Sequence, residues 1–155
     1  METRKILCWF DGACEPSNPG GAMGTGSRIQ INDKDVLRLS LFFPVSPQNS
    51  NNVAEYIAFE KVIDYLLDAL IVDEHIHIYG DSKLVIMQMK GIWKIKHGLY
   101  VPYAVRCLEK LKHFKQGMIF LKWIPREQNG PADELSKAEL IIHNVEFRIQ
   151  PKEYI

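Results

Sequence analysis

The sequence predicts an α/β domain, a mixed five-stranded sheet flanked by helices in the element order βββαβααβα. Three observations carry this expectation. Up to residue 43 the chain holds three apolar or alternating runs separated by turn clusters, which is strand patterning. After the prolines and asparagines at 44–52 the apolar period becomes helical, and helices then alternate with two short strands. No repeat, low-complexity tract or linker interrupts the chain, so its 155 residues fit one domain large enough to bury a core. Strands followed by alternating helices and strands give a sheet with helices packed against it.

The first strand is the run Ile6, Leu7, Cys8, Trp9 and Phe10, apolar throughout and ending on Asp11. Such a run is buried on both faces and belongs in the middle of a sheet. Residues 22–31 begin glycine-rich and then alternate through Ile29 and Ile31. The NDKD turn leads into residues 36–43, where Leu37, Leu39, Leu41 and Phe43 share one side, completing an antiparallel meander. Pro44, Pro47 and the SNN cluster end the strands, and a helix is expected over about 53–70. A short strand at 76–79 and a helix over 82–90 follow. Pro102 opens a further helix through Val105, Leu108 and Leu111, residues 118–124 read as the last strand, and Pro131 opens a final helix through Leu135 to about Ile142. The domain is expected to span residues 1–143, with 144–155 an extension that the pattern does not place.

Cys8, Cys14 and Cys107 make an odd count with no CxxC pair, which argues against a disulfide framework and a cysteine zinc site and for a reducing compartment. The N-terminus lacks the pattern of a secretory leader, and no run approaches a membrane span, so a soluble, cytoplasmic protein without a membrane partner is expected. Formal net charge is zero, yet residues 83–126 hold ten Lys or Arg against one acid, Glu109. Interleaved with Trp93, Tyr100, Tyr103 and Trp123, that segment has the composition of a phosphate-binding face, with a solvated helix surface as the alternative.

Four carboxylates stand out against this frame. Asp11 ends an apolar strand, where an acid is disfavoured unless a cation or a substrate meets it; it could instead open a turn with Gly12. Glu55 lies within about 40° of Phe59, Val62 and Leu66 on the helical wheel, whereas Glu60, Asp64 and Asp68 fall about 140° to 220° away on the expected wet face. Glu55 thus points toward the sheet, although Asn52 and Glu55 also have the spacing of a capping box. Asp81 follows a strand and precedes a helix, either as an N-cap or at the strand end where α/β sheets bind ligands. Asp133 sits in the first turn of the last helix, where the helix dipole favours it. Four acids at the ends of one sheet's flanking elements, beside a basic segment, call for a divalent cation with oxygen ligands, Mg²⁺ or Mn²⁺.

Other chemistries lack their residues. The five histidines include no HExxH, and His75 and His77 stand at strand spacing without a cysteine pair. GGAMGTG lacks the Lys-Ser/Thr ending of a P-loop, so its glycines permit close approach to the backbone.

The stretches DGACEPSNPGG, SNNVAEY, YGDSKLV, GIWKIK and WIPREQNGPADELS, in this order, resemble type 1 ribonuclease H, and the resemblance runs from about Ile6 to Leu140. It implies the ribonuclease H-like fold and endonucleolytic cleavage of the RNA strand of an RNA/DNA hybrid, leaving 3′-hydroxyl and 5′-phosphate ends. Asp11, Glu55, Asp81 and Asp133 match the family's four metal-binding acids, which hold two ions on one scissile phosphate. By the same matching, Asn18, Asn52 and the Gly12 backbone read 2′-hydroxyls in the minor groove, as Glu55 does at one ribose, with Ser50 and Asn51 on the same groove. Asn129 supports the site or a phosphate, and Lys94 and Lys96 face the DNA strand.

Two features depart from the family pattern. Many members carry a histidine before the last aspartate that helps product leave; here Arg126 and Glu127 occupy that loop, so the consequence is expected in turnover and not in bond cleavage. The basic protrusion of some bacterial members is shortened to GIWKIKHGLY, which resembles the compact bacterial and archaeal branch, with modest substrate affinity and double-stranded RNA as a further candidate substrate. A non-catalytic hybrid-binding module is the alternative from another class, and the four acids weigh against it. A 3′ to 5′ exonuclease of the same fold would carry Asp-x-Glu in the first strand, where Gly12 and Ala13 follow Asp11.

Overall fold

The structure is a computed structural model that describes residues 3–148. Strands β1 (Ile6–Glu15), β2 (Ala22–Ile31) and β3 (Lys34–Phe43) form the antiparallel meander, and β4 (Ile76–Gly80) and β5 (Ile119–Trp123) add in parallel on the other side of β1. The sheet order is β3-β2-β1-β4-β5, which puts β1 at the centre. The helices are α1 (Asn51–Asp68), α2 (Lys83–Met89), α3 (Val101–Leu111) and α4 (Gly130–Ile142), with a short 3-10 turn at Arg126–Gln128 before the last. Among the described residues this is the expected order βββαβααβα.

Alternation along β1 explains the layers. Ile6, Cys8 and Phe10 face the main core, where Val53, Tyr56, Phe59, Ile63 and Leu66 of α1 pack with Ile76 and Ile78 of β4. Ala13 faces the other way, into a smaller cluster with Ala22 and Leu140 of α4. The two helices therefore clamp β1 from opposite sides, and α2 and α3 extend the α1 layer.

Several expectations need correction. The first strand does not stop at Asp11 but continues to Glu15, because Gly12 and Ala13 still pair with Thr25 and Gly24 of β2 and the turn waits for Pro16. Gly12 is required there by packing: a Cβ would lie 2.3 Å from the Ala54 carbonyl carbon. Helix α1 begins at Asn51 because Ser50 is its N-cap, its side chain accepting from the Val53 N–H. Glu60 and Asp64, expected on the wet face, meet α3 instead: Arg106 and Lys110 both bond Glu60, and Lys110 Nζ lies 2.6 Å from Asp64. This engages part of the basic segment with acids of α1, whereas Lys112 with Glu109 and Lys115 with Asp73 form only exposed pairs that hold them weakly.

The segment that the sequence pattern leaves unplaced begins against the domain. Val145 and Phe147 pack on the Ala13, Ala22 and Leu140 cluster, and Arg148 bonds Glu15 at the end of β1. Residues 149–155 lie outside the described residues.

Candidate active site

Parallel pairing between β1 and β4 ends at Phe10 and Gly80, so Asp11 and Asp81 sit side by side just beyond it. This is the carboxyl end of neighbouring strands, where open α/β sheets bind ligands. Helix α1 crosses above Gly12 and brings Glu55 down onto the same spot. One carboxylate oxygen from each of Asp11, Glu55 and Asp81 lies within 4.8 Å of the others, on the floor of an open cavity of about 730 Å³.

Two of the local explanations for these acids fall away. The N-cap of α1 is Ser50, which puts Val53 and not Glu55 in the third helical position, so no capping box holds the glutamate. The N-cap of α2 is Ser82, whose hydroxyl accepts from the Val85 N–H, so Asp81 is not a cap. Asp133 does lie in the first turn of α4, where the dipole favours it.

The electrostatics are those of buried carboxylates crowded together. Asp11 and Glu55 are 4% and 8% exposed. Burial pushes the Asp11 carboxyl up to about 7; Lys137 and Ser136 oppose the shift, while Asp81 and Asp133 add to it. Burial and then the charges of Asp11 and Asp81 push Glu55 well above the usual carboxylate range. Asp81 is raised by burial too, against a hydrogen bond from Asn129 and the charge of Arg126. Glu55 Oε2 is buried without a hydrogen-bond partner in the protein. An all-oxygen donor set with mutually repelling charges and an orphaned buried oxygen fits a hard divalent cation held by Asp11, Glu55 and Asp81.

Asp133 stands beside this trio, within reach of basic side chains. Lys137 Nζ is 3.3 Å from its Oδ1, and Arg126 Nη2 is 3.9 Å away. Arg126 and Glu127, in place of a loop histidine, form the 3-10 turn that carries this guanidinium to the cavity. Asn129 is completely buried, and its Nδ2 donates to the Phe10 carbonyl at 3.0 Å. It ties the start of α4 to β1 and also hydrogen-bonds Asp81.

Gly12, Asn51 and Asn52 line the cavity. Asn51 Oδ1 accepts from the Cys14 N–H at 2.7 Å, and the Asn51 N–H donates to Asn18 Oδ1 at 2.9 Å, so the two asparagines fasten the turn after β1 to the start of α1. Asn18 and Asn52 remain exposed, whereas Ser50 is engaged as the cap. Lys94 and Lys96 are exposed in the loop after α2, away from the cavity lining.

Sequence reasoning did not assign the contacts that several further residues make with the site. Lys137 and Ser136 meet Asp11 from α4, and their signal was position: Lys137 follows Asp133 by one helical turn, the spacing at which side chains share a face. Trp123 donates its indole N–H to the Asp81 carbonyl at 3.1 Å, with Lys83 Nζ 5.7 Å above its ring. Arg148 bonds Glu15 and the Cys14 carbonyl at the cavity edge, and no local pattern announces it.

The chain is similar to known proteins over most of its length. The profile of the family described as reverse transcriptase-like matches residues 10–139. The bifunctional protein Rv2228c of Mycobacterium tuberculosis (strain ATCC 25618 / H37Rv) is 32% identical over 133 residues, 85% of this chain and 34% of that protein. The chain thus spans about a third of the length of this curated relative. The N-terminal RNase H domain of Rv2228c, solved as a fusion with maltose binding protein, superposes with a TM-score of 0.78 at 26% identity, covering 90% of this chain and 95% of that one. LC11-RNase H1, solved in complex with RNA/DNA hybrid, superposes with a TM-score of 0.74 at 26% identity, covering 86% of this chain and 95% of that one.

Proposed function

The chain belongs to the reverse transcriptase-like family, and from that premise we propose that it is a ribonuclease H, a metal-dependent endonuclease that hydrolyses the RNA strand of RNA/DNA hybrids to 3′-hydroxyl and 5′-phosphate ends. One observation carries the reading: Asp11, Glu55 and Asp81 converge within 4.8 Å at a cavity floor, and Glu55 is buried there with an orphaned oxygen. Burying like charges this way is unfavourable unless a cation joins them. Magnesium or manganese, two ions per site, would supply Lewis-acid chemistry when bound, activating water and stabilising the departing 3′ oxygen.

The chain's own residues hold and orient. Asp11, Glu55 and Asp81 are the carboxylates for the first cation, and Asp133 completes the set of four from α4. Asn129 fixes the start of α4 against β1 through the Phe10 carbonyl, which keeps Asp133 in register with Asp11. Asn18, Asn52 and the Gly12 backbone flank one groove from two elements, so together they reach 2′-hydroxyls on neighbouring nucleotides, with Asn51 fastening the elements together. Glu55 touches one further 2′-hydroxyl. Lys94 and Lys96 stand apart on the loop after α2 as contacts for the DNA strand. Buried free cysteines suit a reducing compartment such as the cytoplasm.

The test is incubation of labelled RNA/DNA hybrid, double-stranded RNA, single strands and a duplex with one embedded ribonucleotide, each with Mg²⁺, Mn²⁺ or EDTA, with product ends resolved. Hybrid should be cut regardless of base sequence and only with metal. A lone ribose satisfies only part of the groove contacts, and two unpaired polar groups at about 1–3 kcal/mol each slow cleavage there by roughly a hundredfold. Hybrid that binds but stays intact with both metals would sink the enzyme reading in favour of a binding module. Efficient cutting at the single ribonucleotide would sink the proposed sugar contacts.

A further inference from the structure

One turn of α4 beyond Asp133, Lys137 lies against the sheet and is 7% exposed. Lysine is rarely buried this far without anionic partners. Its Nζ lies 3.2 Å from Ser136 Oγ, 3.3 Å from Asp133 Oδ1 and 3.7 Å from Asp11 Oδ2. Three N–H donors thus face three oxygens. The same Asp11 oxygen accepts a 2.7 Å hydrogen bond from Ser136 Oγ, which steadies that arrangement.

The cluster therefore has two unlike sides. On one, Asp11, Glu55 and Asp81 converge, and among the described residues no basic side chain forms an ion pair with Glu55 or Asp81. On the other, between Asp11 and Asp133, a positive charge is already in place. We propose that Lys137 is a resident counter-ion of the Asp11–Asp133 side. The chain without nucleic acid then takes a single divalent cation, on Asp11, Glu55 and Asp81, and takes a second only when Lys137 withdraws. This rests on reading the acidic cavity as a metal site.

The physical reason is crowding of like charge. A small divalent ion such as Mg²⁺ needs oxygens at about 2.0–2.1 Å, and an ammonium facing the same two carboxylates would lie a few ångströms from it with the same sign. Both cannot occupy that gap at once. Lysine is suited to yielding, because its ammonium is a point charge on a flexible four-carbon stem. Arginine there would be held by a planar fork and would yield less.

Counting bound Mn²⁺ on the full chain without nucleic acid tests this, by electron paramagnetic resonance of the free ion and by calorimetry. The parent should bind one ion, Lys137→Met two, and Lys137→Arg one. Thermal unfolding in EDTA checks folding, and Lys137→Gln takes the place of Lys137→Met if the latter does not fold. Saturating Mn²⁺ should also raise the unfolding midpoint of the uncharged variant by more than it raises the parent's, since two ions then bind the folded state alone. Two ions on the parent, or one on both the parent and the uncharged variant, overturn the proposal while leaving the metal site standing. No ion on either chain overturns the metal site and the proposal with it.

Discussion

Glu55 and Glu60 lie on the same helix, are 8% and 4% exposed, and meet opposite surroundings. Burial pushes Glu60 up, but hydrogen bonds from Arg106 and Lys110 outweigh it, and its carboxyl sits below the ordinary glutamate value. Burial pushes Glu55 up, and the neighbouring charges of Asp11 and Asp81 push it further. Burial of an acid therefore does not mark a site. What marks it is burial without a counter-charge, on a helix that shows a few residues later how the protein neutralises an acid when structure alone is at stake.

Removing charge from the two glutamates should separate them most sharply in activity. Glu55→Gln, like Asp81→Asn, should cut hybrid cleavage by roughly a thousandfold or more, the equivalent of several kcal/mol of lost transition-state stabilisation. In EDTA both variants should be at least as stable as the parent, since each removes repulsion from a cluster of like charge. Glu60→Gln should keep cleavage near the parental rate. Single-turnover rates and urea unfolding of the same three preparations measure both halves. Parental cleavage by Glu55→Gln or Asp81→Asn would break the contrast.

How far this contrast was legible in the sequence differs between its halves. The helical wheel put Glu55 on the apolar face, and the structure places it there over β1. The same wheel put Glu60 in water, because periodicity within one helix carries no information about a second helix packed across it; α3 covers Glu60 with Arg106 and Lys110. Element order was readable because strands and helices here keep their own periods between clear turn residues. The end of β1 was not, since Asp11 and Gly12 look like a turn locally and are held in strand pairing by Gly26 and Thr25 of β2. Long-range partners likewise hid Arg148, which meets Glu15 from the far end of the chain.

The basic residues extend the comparison to substrate binding. Arg106 and Lys110 are bound to acids of α1, whereas among the described residues Lys94 and Lys96 form no ion pair. Charge reversal at Lys94 and Lys96 should weaken hybrid binding and lower the slope of log K against log salt by roughly one unit for each phosphate that is no longer neutralised. Neutralising Arg106 should leave the slope as it is. Titrations at several salt concentrations decide this, and a slope that responds to Arg106 but not to the two lysines would move the binding face onto α3.

The smallest expected effect is on stability, and it isolates the paired half of the comparison. Glu60→Gln strips charge-assisted hydrogen bonds from Arg106 and Lys110, but the Arg106 side chain is 49% exposed and rehydrates, so the loss should be about 1–2 kcal/mol near neutral pH. Its pH dependence has a definite sign. The folded Glu60 carboxyl titrates below its ordinary value of 4.5, so across that window the unfolded chain binds more protons and stability rises with pH. The stabilisation is complete above the unfolded value and disappears as pH falls through the folded one. Urea unfolding of parent and Glu60→Gln at neutral pH and again well below 4.5 should therefore show a difference that closes on acidification. A difference that stays constant with pH would mean that glutamine loses packing and not charge, and Glu60 would no longer serve as the neutralised counterpart of Glu55.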